Sequence, residues 1–308
     1  MGTLEDSVGK SGERSGKGLN REMLGQTYEL PAREVEADEM IAFAEAIEDD
    51  NPLHVDTSRE GGIIATPLFP QRLLHRAMEE ALTDERLEAD LLRLVHGEQD
   101  MRFYRPLEPG DVCAARAEIA DIEEKSSGEL LTVRMWLDCD GEVVSEATAG
   151  LFIRAPKGAS SQPTKSTSAN KKASPSAGAD KKIVYEESQG VGPDKPARYA
   201  DASGDRNPIH TDPAVAKAAG LPDVILHGMC TMAFAANAIV DGICDGESPR
   251  LERIKVRFSR PVFPGQTVTT RIWEEAEEAG VLRLSFESVN DEEQAVLTHG
   301  LAEVGSGA

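Results

Sequence analysis

The 308 residues contain no long apolar run and no excess of positive charge, and the first residues are polar. No uninterrupted apolar run approaches the roughly 20 residues that a membrane helix needs, and the polar N-terminus has no hydrophobic core of a signal peptide. We therefore expect a cytoplasmic protein that does not enter a membrane. The formal net charge of −22 argues against nucleic acid as a partner, because phosphate binding requires an excess of Lys and Arg.

Cysteine is scarce, and the common cofactor motifs are missing. The four cysteines stand singly in apolar surroundings without metal-ligand spacing: Cys113, Cys139, Cys230 and Cys244. We interpret them as reduced core thiols rather than as a disulfide or a zinc site. The sequence shows no Walker loop, dinucleotide fingerprint, metal-ligand cluster or serine nucleophile elbow. We therefore predict no metal and no cofactor.

Two segments lack the residues that build a core. Residues 155–182 contain no aromatic or large aliphatic side chain, and their six Lys against one Asp give a net charge of +5. Such a composition cannot offset the entropy of ordering, so we predict a flexible linker. Residues 1–20 are similarly polar and are predicted to be a disordered tail.

The linker separates two segments, 21–154 and 183–308, that are copies of each other. "DDNPLHVD" (49–56) matches "DRNPIHTD" (205–212), and "MRFYRPLEPGD" (101–111) matches "VRFSRPVFPGQ" (256–266). The two pairs of boxes are offset by nearly the same number of residues, 156 and 155. This agreement indicates a duplicated folding unit.

Each copy has the same predicted order of elements. A short amphipathic helix (37–47 or 193–203) precedes the Asx-Pro loop, and a longer helix and several β-runs follow. In the second copy the longer helix, 227–243, is apolar almost all round, so protein must surround it. The predicted strands of this copy are 253–259, 266–275, 281–289 and 295–304. Because no helix-length crossover separates them, they should be antiparallel.

These boxes resemble a known family. "YADASGDRNPIH" (199–210), "ILHGM" (225–229) and "RFSRPVFPG" (257–265) are similar to the motifs of MaoC-like (R)-specific enoyl-CoA hydratases. "ATPLFP" (65–70) and "HGEQDMRFYRPLEPGD" (96–111) resemble the FAS1-like N-terminal dehydratase domain. The resemblance implies an α+β double hotdog, with two antiparallel sheets that each wrap a central helix. It also implies that the N-terminal unit holds the acyl tail while the C-terminal unit does the chemistry.

The family's activity is the (R)-specific hydration of trans-2-enoyl-CoA to (R)-3-hydroxyacyl-CoA, or the reverse dehydration. Asp205 and His210 have the chemistry to hold and deprotonate a water and to supply a proton to C2. Asn207 can orient that water or the imidazole. The N–H of Gly228, at the start of the buried helix, can stabilise charge on the thioester oxygen.

Five further residues are predicted to contact substrate, namely Ser203, His227, Lys255, Arg257 and Arg260. A helix cap or a pocket wall is an alternative for His227. In a chain this acidic, the three basic residues are candidates for the phosphates of coenzyme A, although each could simply be a solvated surface side chain.

The N-terminal copy retains Asp49, Asn51 and His54 at matching positions. Its "TPLFP" replaces the His-Gly pair, however, and proline has no N–H to donate. We expect this copy's helix to be trimmed so that a long acyl chain fits, and we leave open whether a second active site exists here.

Two other functions remain open: a hotdog acyl-CoA thioesterase, and a non-catalytic acyl-CoA-binding protein. Coenzyme A is favoured over acyl carrier protein as the carrier, because an acidic protein repels an acidic carrier protein. A homodimer of double-hotdog chains is kept as a hypothesis.

Overall fold

The computed structural model describes residues 18–155 and 181–306. The predicted tail (1–20) and linker (155–182) therefore lie almost entirely outside the described residues. Among the described helices, none is both long and apolar enough to cross a bilayer.

The described part of the N-terminal copy consists of three helices and a set of antiparallel strands. The helices are α1 (Ala37–Ala46), α2 (Pro52–Val55) and α3 (Pro70–Thr83). The strands are β1 (Thr27–Glu29), β2 (Arg33–Glu34), β3 (Leu94–Phe103), β4 (Val112–Lys125), β5 (Gly128–Cys139) and β6 (Glu142–Arg154).

The described part of the C-terminal copy repeats this plan. Its helices are α4 (Lys195–Ser203), α5 (Pro213–Ala218) and α6 (Gly228–Gly242). Its strands are β7 (Tyr185–Gly190), β8 (Leu251–Phe258), β9 (Thr267–Glu278), β10 (Val281–Val289) and β11 (Ala295–Gly305). The predicted helices and strands of this copy are confirmed to within a few residues.

All eleven strands belong to one sheet, in the order β1-β4-β5-β6-β3-β8-β11-β10-β9-β7, with β2 paired to β4. The strand order of one half is the reverse of the order of the equivalent strands in the other half, as expected for two copies of one unit that pair edge to edge. The halves join where β3 pairs antiparallel with β8, with Asp100 opposite Lys255. These two residues are equivalent in the two copies, so a pseudo-twofold axis passes between them. The expected pair of sheets is therefore hydrogen-bonded into one continuous sheet.

Each unit buries its core between a helix and the concave face of this sheet. In β5 alternate residues such as Leu131, Val133 and Met135 are buried, the period of a strand with one face inward. Helix α6 is buried on almost every side, from Met229 to Val240, as its composition predicts.

The expectation of a trimmed helix in the N-terminal unit is wrong. Helix α3 has 14 residues and α6 has 15, so neither is shortened relative to the other. Helix α3 keeps a buried apolar face that includes Leu74, Ala77 and Ala81, with Arg76 exposed on the opposite side.

The expectation of four reduced thiols is wrong for two of them. Cys113 on β4 and Cys139 on β5 are partners in register, with Cα atoms 4.1 Å apart, and form a disulfide. Cys230 and Cys244 are free and buried, as predicted. The pairing escaped prediction because it depends on the strand register, which residue spacing alone does not reveal.

Candidate active site

The loop between α4 and α6 presents the first set of candidate residues. Gly204 ends α4 with a left-handed φ of 80°, a conformation that favours glycine. The Ser203 hydroxyl accepts the N–H of Asp205 at 3.2 Å, and the Asp205 carboxylate accepts the N–H of Asn207 at 3.1 Å. Asn207 in turn caps the 3₁₀ turn Pro208–His210 by accepting the N–H of Ile209. Ser203 and Asn207 thus hold the loop in shape.

The hydrogen bonds of His210 determine which of its nitrogens is reactive. Its Nδ1 lies 2.8 Å from the carbonyl oxygen of Ile225, which can only accept, so Nδ1 carries the hydrogen. The neutral ring therefore has its lone pair on Nε2. Ligand atoms of Asp205, His210 and His227 all lie within 4.8 Å of one another, a spacing that one water molecule can bridge.

The electrostatics of the site favour an ionised carboxyl group and neutral imidazoles. Burial opposes the charge on Asp205, but the surrounding imidazoles of His75, His227 and His210 outweigh it and hold the pKa of Asp205 far below its usual range. Burial lowers the pKa of His210, although the Asp205 charge acts in the opposite direction. At neutral pH, the Asp205 carboxyl group is therefore ionised and can accept hydrogen bonds, while the His210 ring is neutral.

Helix α6 begins beside this pair. His227 occupies the N-cap position, its Nε2 donates to the Asp205 carbonyl oxygen at 3.0 Å, and its ring stacks on His210 at 3.7 Å. The N–H of Gly228 belongs to the first turn, whose donors have no partner inside the helix. A Cβ at Gly228 would lie 3.0 Å from the ring of Phe258, so any larger residue would crowd that ring.

The opposite wall of the site comes from the N-terminal unit, and sequence reasoning missed it. His75 on α3 lies with its Nε2 3.9 Å from Asp205 Oδ1. Gln71, one turn earlier on the same helix, is also buried. From β3, His96 packs its ring against Phe258 at 4.9 Å.

A bulge in β3 explains how the polar side chains of that strand reach the site. The register with β6 shifts between His96 and Glu98, which turns His96 to the same side as Gln99. His96 Nε2 lies 3.0 Å from Gln99 Oε1, and Gln99 is fully buried. Burial lowers the pKa of His96 to about 4. Polar residues on the otherwise apolar face of α3 were the available sequence signal.

The second Asp/His pair, Asp49 and His54, has no imidazole nitrogen free to contact a ligand. His54 Nδ1 bonds the Asp49 carboxylate at 2.6 Å and Nε2 bonds the Ser248 hydroxyl at 2.8 Å, so both ring nitrogens are occupied. Asn51 donates from its amide to the Gly246 carbonyl oxygen at 2.7 Å. These contacts tie the N-terminal loop to the segment that follows α6. The geometry does not support a second active site here.

A cleft of about 380 Å³ lies beside the start of α3 in the N-terminal unit, next to the counterparts of His227 and Gly228. The backbone bond from Ala65 to Leu107 matches the bond from Leu226 to Val262, which places Thr66 and Pro67 where His227 and Gly228 stand. Both Thr66 and Pro67 line the cleft. Since Pro67 has no N–H, this copy cannot form the same oxyanion contact.

The predicted basic residues lie away from the reacting groups. Lys255 and Arg257 project from the outer face of β8, opposite to the buried Ile254 and Val256. Lys255 Nζ is 3.9 Å from Asp100 Oδ2 at the junction of the two halves. Arg260 lies in the following turn and donates to the Ala295 carbonyl oxygen. A role in binding phosphate stays a prediction.

Comparison with protein families assigns both halves of the chain. The model of the MaoC like domain matches residues 175–296, and that of the FAS1-like dehydratase domain region matches residues 22–147. A "3-hydroxyacyl-thioester dehydratase Y" of Mycobacterium tuberculosis is 33% identical over 225 residues, which cover 70% of this chain and 73% of that protein. The chain belongs to the MaoC-like dehydratase family.

Other members have related names. "Enoyl-CoA hydratase 2, peroxisomal" of Arabidopsis thaliana is 29% identical over 247 residues, 77% of each chain. The mouse "Peroxisomal multifunctional enzyme type 2" is 32% identical over 189 residues, 61% of this chain, and the match spans only 25% of that larger protein. Hydratase and dehydratase name the two directions of one reaction, so the expected class, a hydro-lyase, is confirmed at the level of the family.

Solved structures confirm the fold. A MaoC-like dehydratase from Phytophthora capsici superposes with a TM-score of 0.76 at 24% identity, covering 94% of this chain and all of that one. A Mycobacterium tuberculosis protein described as a double hotdog superposes with a TM-score of 0.60 at 13% identity, covering 92% of this chain and 98% of that one. The α+β double hotdog predicted from the motifs is therefore correct.

The side chains around Asp205 could also hold a metal ion. Within the described ranges, Asp205, His210 and His227 form the group of three side chains whose ligand atoms lie close enough to share a metal ion. The same three groups have the acid–base states that a metal-free hydration needs. The absence of a metal stays a prediction, which metal analysis of the purified protein checks.

Proposed function

We propose that this protein interconverts trans-2-enoyl-CoA and (R)-3-hydroxyacyl-CoA by adding or removing water. The observation that carries the proposal is the meeting of the ionised Asp205 carboxylate and the neutral His210 imidazole with His227, the N-cap of the helix that begins at Gly228. The acid–base pair and the Gly228 N–H are the three groups that hydration of a conjugated thioester requires.

In hydration, the water is held by hydrogen bonds to Asp205 and to His210 Nε2. Its oxygen bonds to C3 while His210 takes one of its protons, and the electrons of the double bond move onto the thioester oxygen. The N–H of Gly228 stabilises that enolate. The imidazolium then returns the proton to C2, so the atoms balance without a co-reactant. Because one group of residues serves both carbons, addition is syn.

Hydrogen-bonding groups of the N-terminal unit close the site opposite Asp205. His75, His96 and Gln99 are contributed by α3 and β3, so neither unit alone contains the whole site. This supports the assignment of chemistry to the C-terminal loop with the N-terminal unit as its second wall. Coenzyme A is the favoured carrier, because the net charge of −22 repels an acidic carrier protein.

The test is an assay with crotonyl-CoA that follows enoyl absorbance and free thiol in parallel. We expect loss of the enoyl group with 3-hydroxyacyl product and no thiol. Asp205→Asn should lower kcat by about 10²–10⁴-fold, while the matched change Asp49→Asn should leave a much larger residual rate. Thiol release without hydroxyacyl product would make the protein a thioesterase, and an unaffected Asp205→Asn variant would refute the assignment.

A further inference from the structure

His75 is a buried imidazole that the mechanism above does not use. It lies on α3 of the N-terminal unit and is 7% exposed, with its ring directed at the loop of the other unit. Its Nε2 is buried and has no hydrogen-bond partner among the described residues. Buried polar atoms are nearly always paired, so this one calls for a partner that binds there.

The other polar side chains of the wall that the N-terminal unit contributes are bonded to one another. His96 Nε2 is bonded to Gln99, and the amide of Gln99 reaches Gln71 at 3.5 Å. His75 is therefore the member of this wall with a nitrogen left free to contact a ligand. Four of the six histidines of the chain gather around Asp205, and of the two from the opposite unit, His75 is the one with a nitrogen within 4 Å of the Asp205 carboxylate.

The gap between His75 and Asp205 has the size of a shared oxygen. At 3.9 Å, His75 Nε2 and Asp205 Oδ1 are too far apart for a direct hydrogen bond. An oxygen atom about 2.8 Å from each atom fits this separation. His210, whose Nε2 has the free lone pair, contributes a ring nitrogen to the cluster of ligand atoms within 4.8 Å of one another that includes the Asp205 carboxylate.

We propose that His75 is a third catalytic residue, whose Nε2–H donates a hydrogen bond to the oxygen of the reacting water. This deepens the proposed function and depends on it. The water then donates one hydrogen to Asp205 and the other to His210, and accepts one from His75. Its remaining lone pair points at C3. In dehydration the same bond stabilises the oxygen as it leaves C3, and His75 keeps its proton throughout.

Two amide substitutions separate this role from simple packing. In His75→Gln the side-chain amide nitrogen can occupy the place of Nε2, whereas in His75→Asn it can occupy only the place of Nδ1. Both variants are neutral and polar. We expect His75→Asn to lower kcat with crotonyl-CoA by about 10²–10³-fold, the range for loss of one donor to an oxygen that gains charge in the transition state, with KM changed by less than about threefold. His75→Gln should recover most of that loss.

The matched control is His299→Gln, which changes an exposed histidine outside the site and should retain the wild-type kcat. Thermal unfolding of each variant accompanies the kinetics. Equal kcat values for His75→Gln and His75→Asn would overturn the proposal, as would a rise in KM alone. Unfolding of both variants would also count against it, because His75 would then be a packing residue. An inactive wild-type protein would instead refute the proposed function itself.

Discussion

Replacement of His54 by Ala should destabilise the protein while leaving catalysis almost intact. His54 is the counterpart of His210 in the other copy, yet its two ring nitrogens are bonded to Asp49 and Ser248. The side chains of His54 and Asp49 are only 2% and 7% exposed. The substitution therefore removes a buried link between the two units rather than a group that can meet substrate.

The size of the effect follows from these contacts. Leaving a buried polar group without its hydrogen-bond partner costs about 1–3 kcal/mol, and this substitution takes a partner from two such groups. Asp49 would keep only the N–H of Asn51, and the Ser248 hydroxyl, 3% exposed as a residue, would lose its bond as well. At about 2–4 °C per kcal/mol, a loss of about 4 kcal/mol lowers the unfolding midpoint by about 8–16 °C.

The assay compares His54→Ala with the matched variant His210→Ala. Thermal unfolding is followed by circular dichroism, and kcat is measured with crotonyl-CoA at a temperature where both variants are folded. We expect His54→Ala to keep kcat within about threefold, and His210→Ala to lose about 10²–10⁴-fold with a smaller shift in midpoint. A His54→Ala variant that keeps its stability and loses its activity would refute this reasoning and restore the second active site.

Three further predictions concern acid stability, the oxyanion approach and the disulfide. Burial above all lowers the pKa of His227 to about 3, while an unfolded imidazole titrates near about 6.5. On acidification the unfolded chain thus binds the proton at a higher pH than the folded chain, so stability is lost as pH falls below about 6.5. The urea midpoint of the wild-type protein should therefore fall more steeply from pH 6.5 to 4 than the urea midpoint of His227→Gln. Equal slopes for the two proteins would contradict this. Gly228→Ala keeps the N–H but places a methyl group 3.0 Å from the Phe258 ring, so kcat/KM should drop by about 10–100-fold; an unchanged value would show that the ring yields. Replacing Cys113 and Cys139 by Ser should lower the free energy of unfolding by about 2–4 kcal/mol, and alkylation of the denatured wild-type protein should label two thiols before reduction and four after; four before reduction would exclude the disulfide.

Local patterns explain why much of the fold could be predicted. The apolar periodicity of α6 and of the strands β8 to β11 reports which side of each element is buried, and this depends on neighbours in sequence. The register between paired strands, in contrast, does not depend on neighbours in sequence. The disulfide between Cys113 and Cys139 and the bulge at His96 both arise from pairing with another strand, and neither leaves a mark in residue spacing.

The candidate site shows the same division. The motif around Asp205 and His210 could be recognised because its residues lie within one short loop. The second wall could not, because His75 and Gln99 are more than 100 residues away along the chain and reach Asp205 only through the docking of the two units.

By itself the sequence determined that the protein is a duplication, that each copy carries an Asp-x-Asn-Pro-x-His loop before a long helix, and that these boxes resemble one family. Only the tertiary structure decided which copy of that loop is open. His54 finds Ser248 and Asp49 within bonding distance, while His210 keeps Nε2 unbonded beside Asp205. Two nearly identical loops differ in this way because the partners of an imidazole depend on the segments packed against it, and the Ser248 hydroxyl that occupies Nε2 of His54 comes from the other half of the chain.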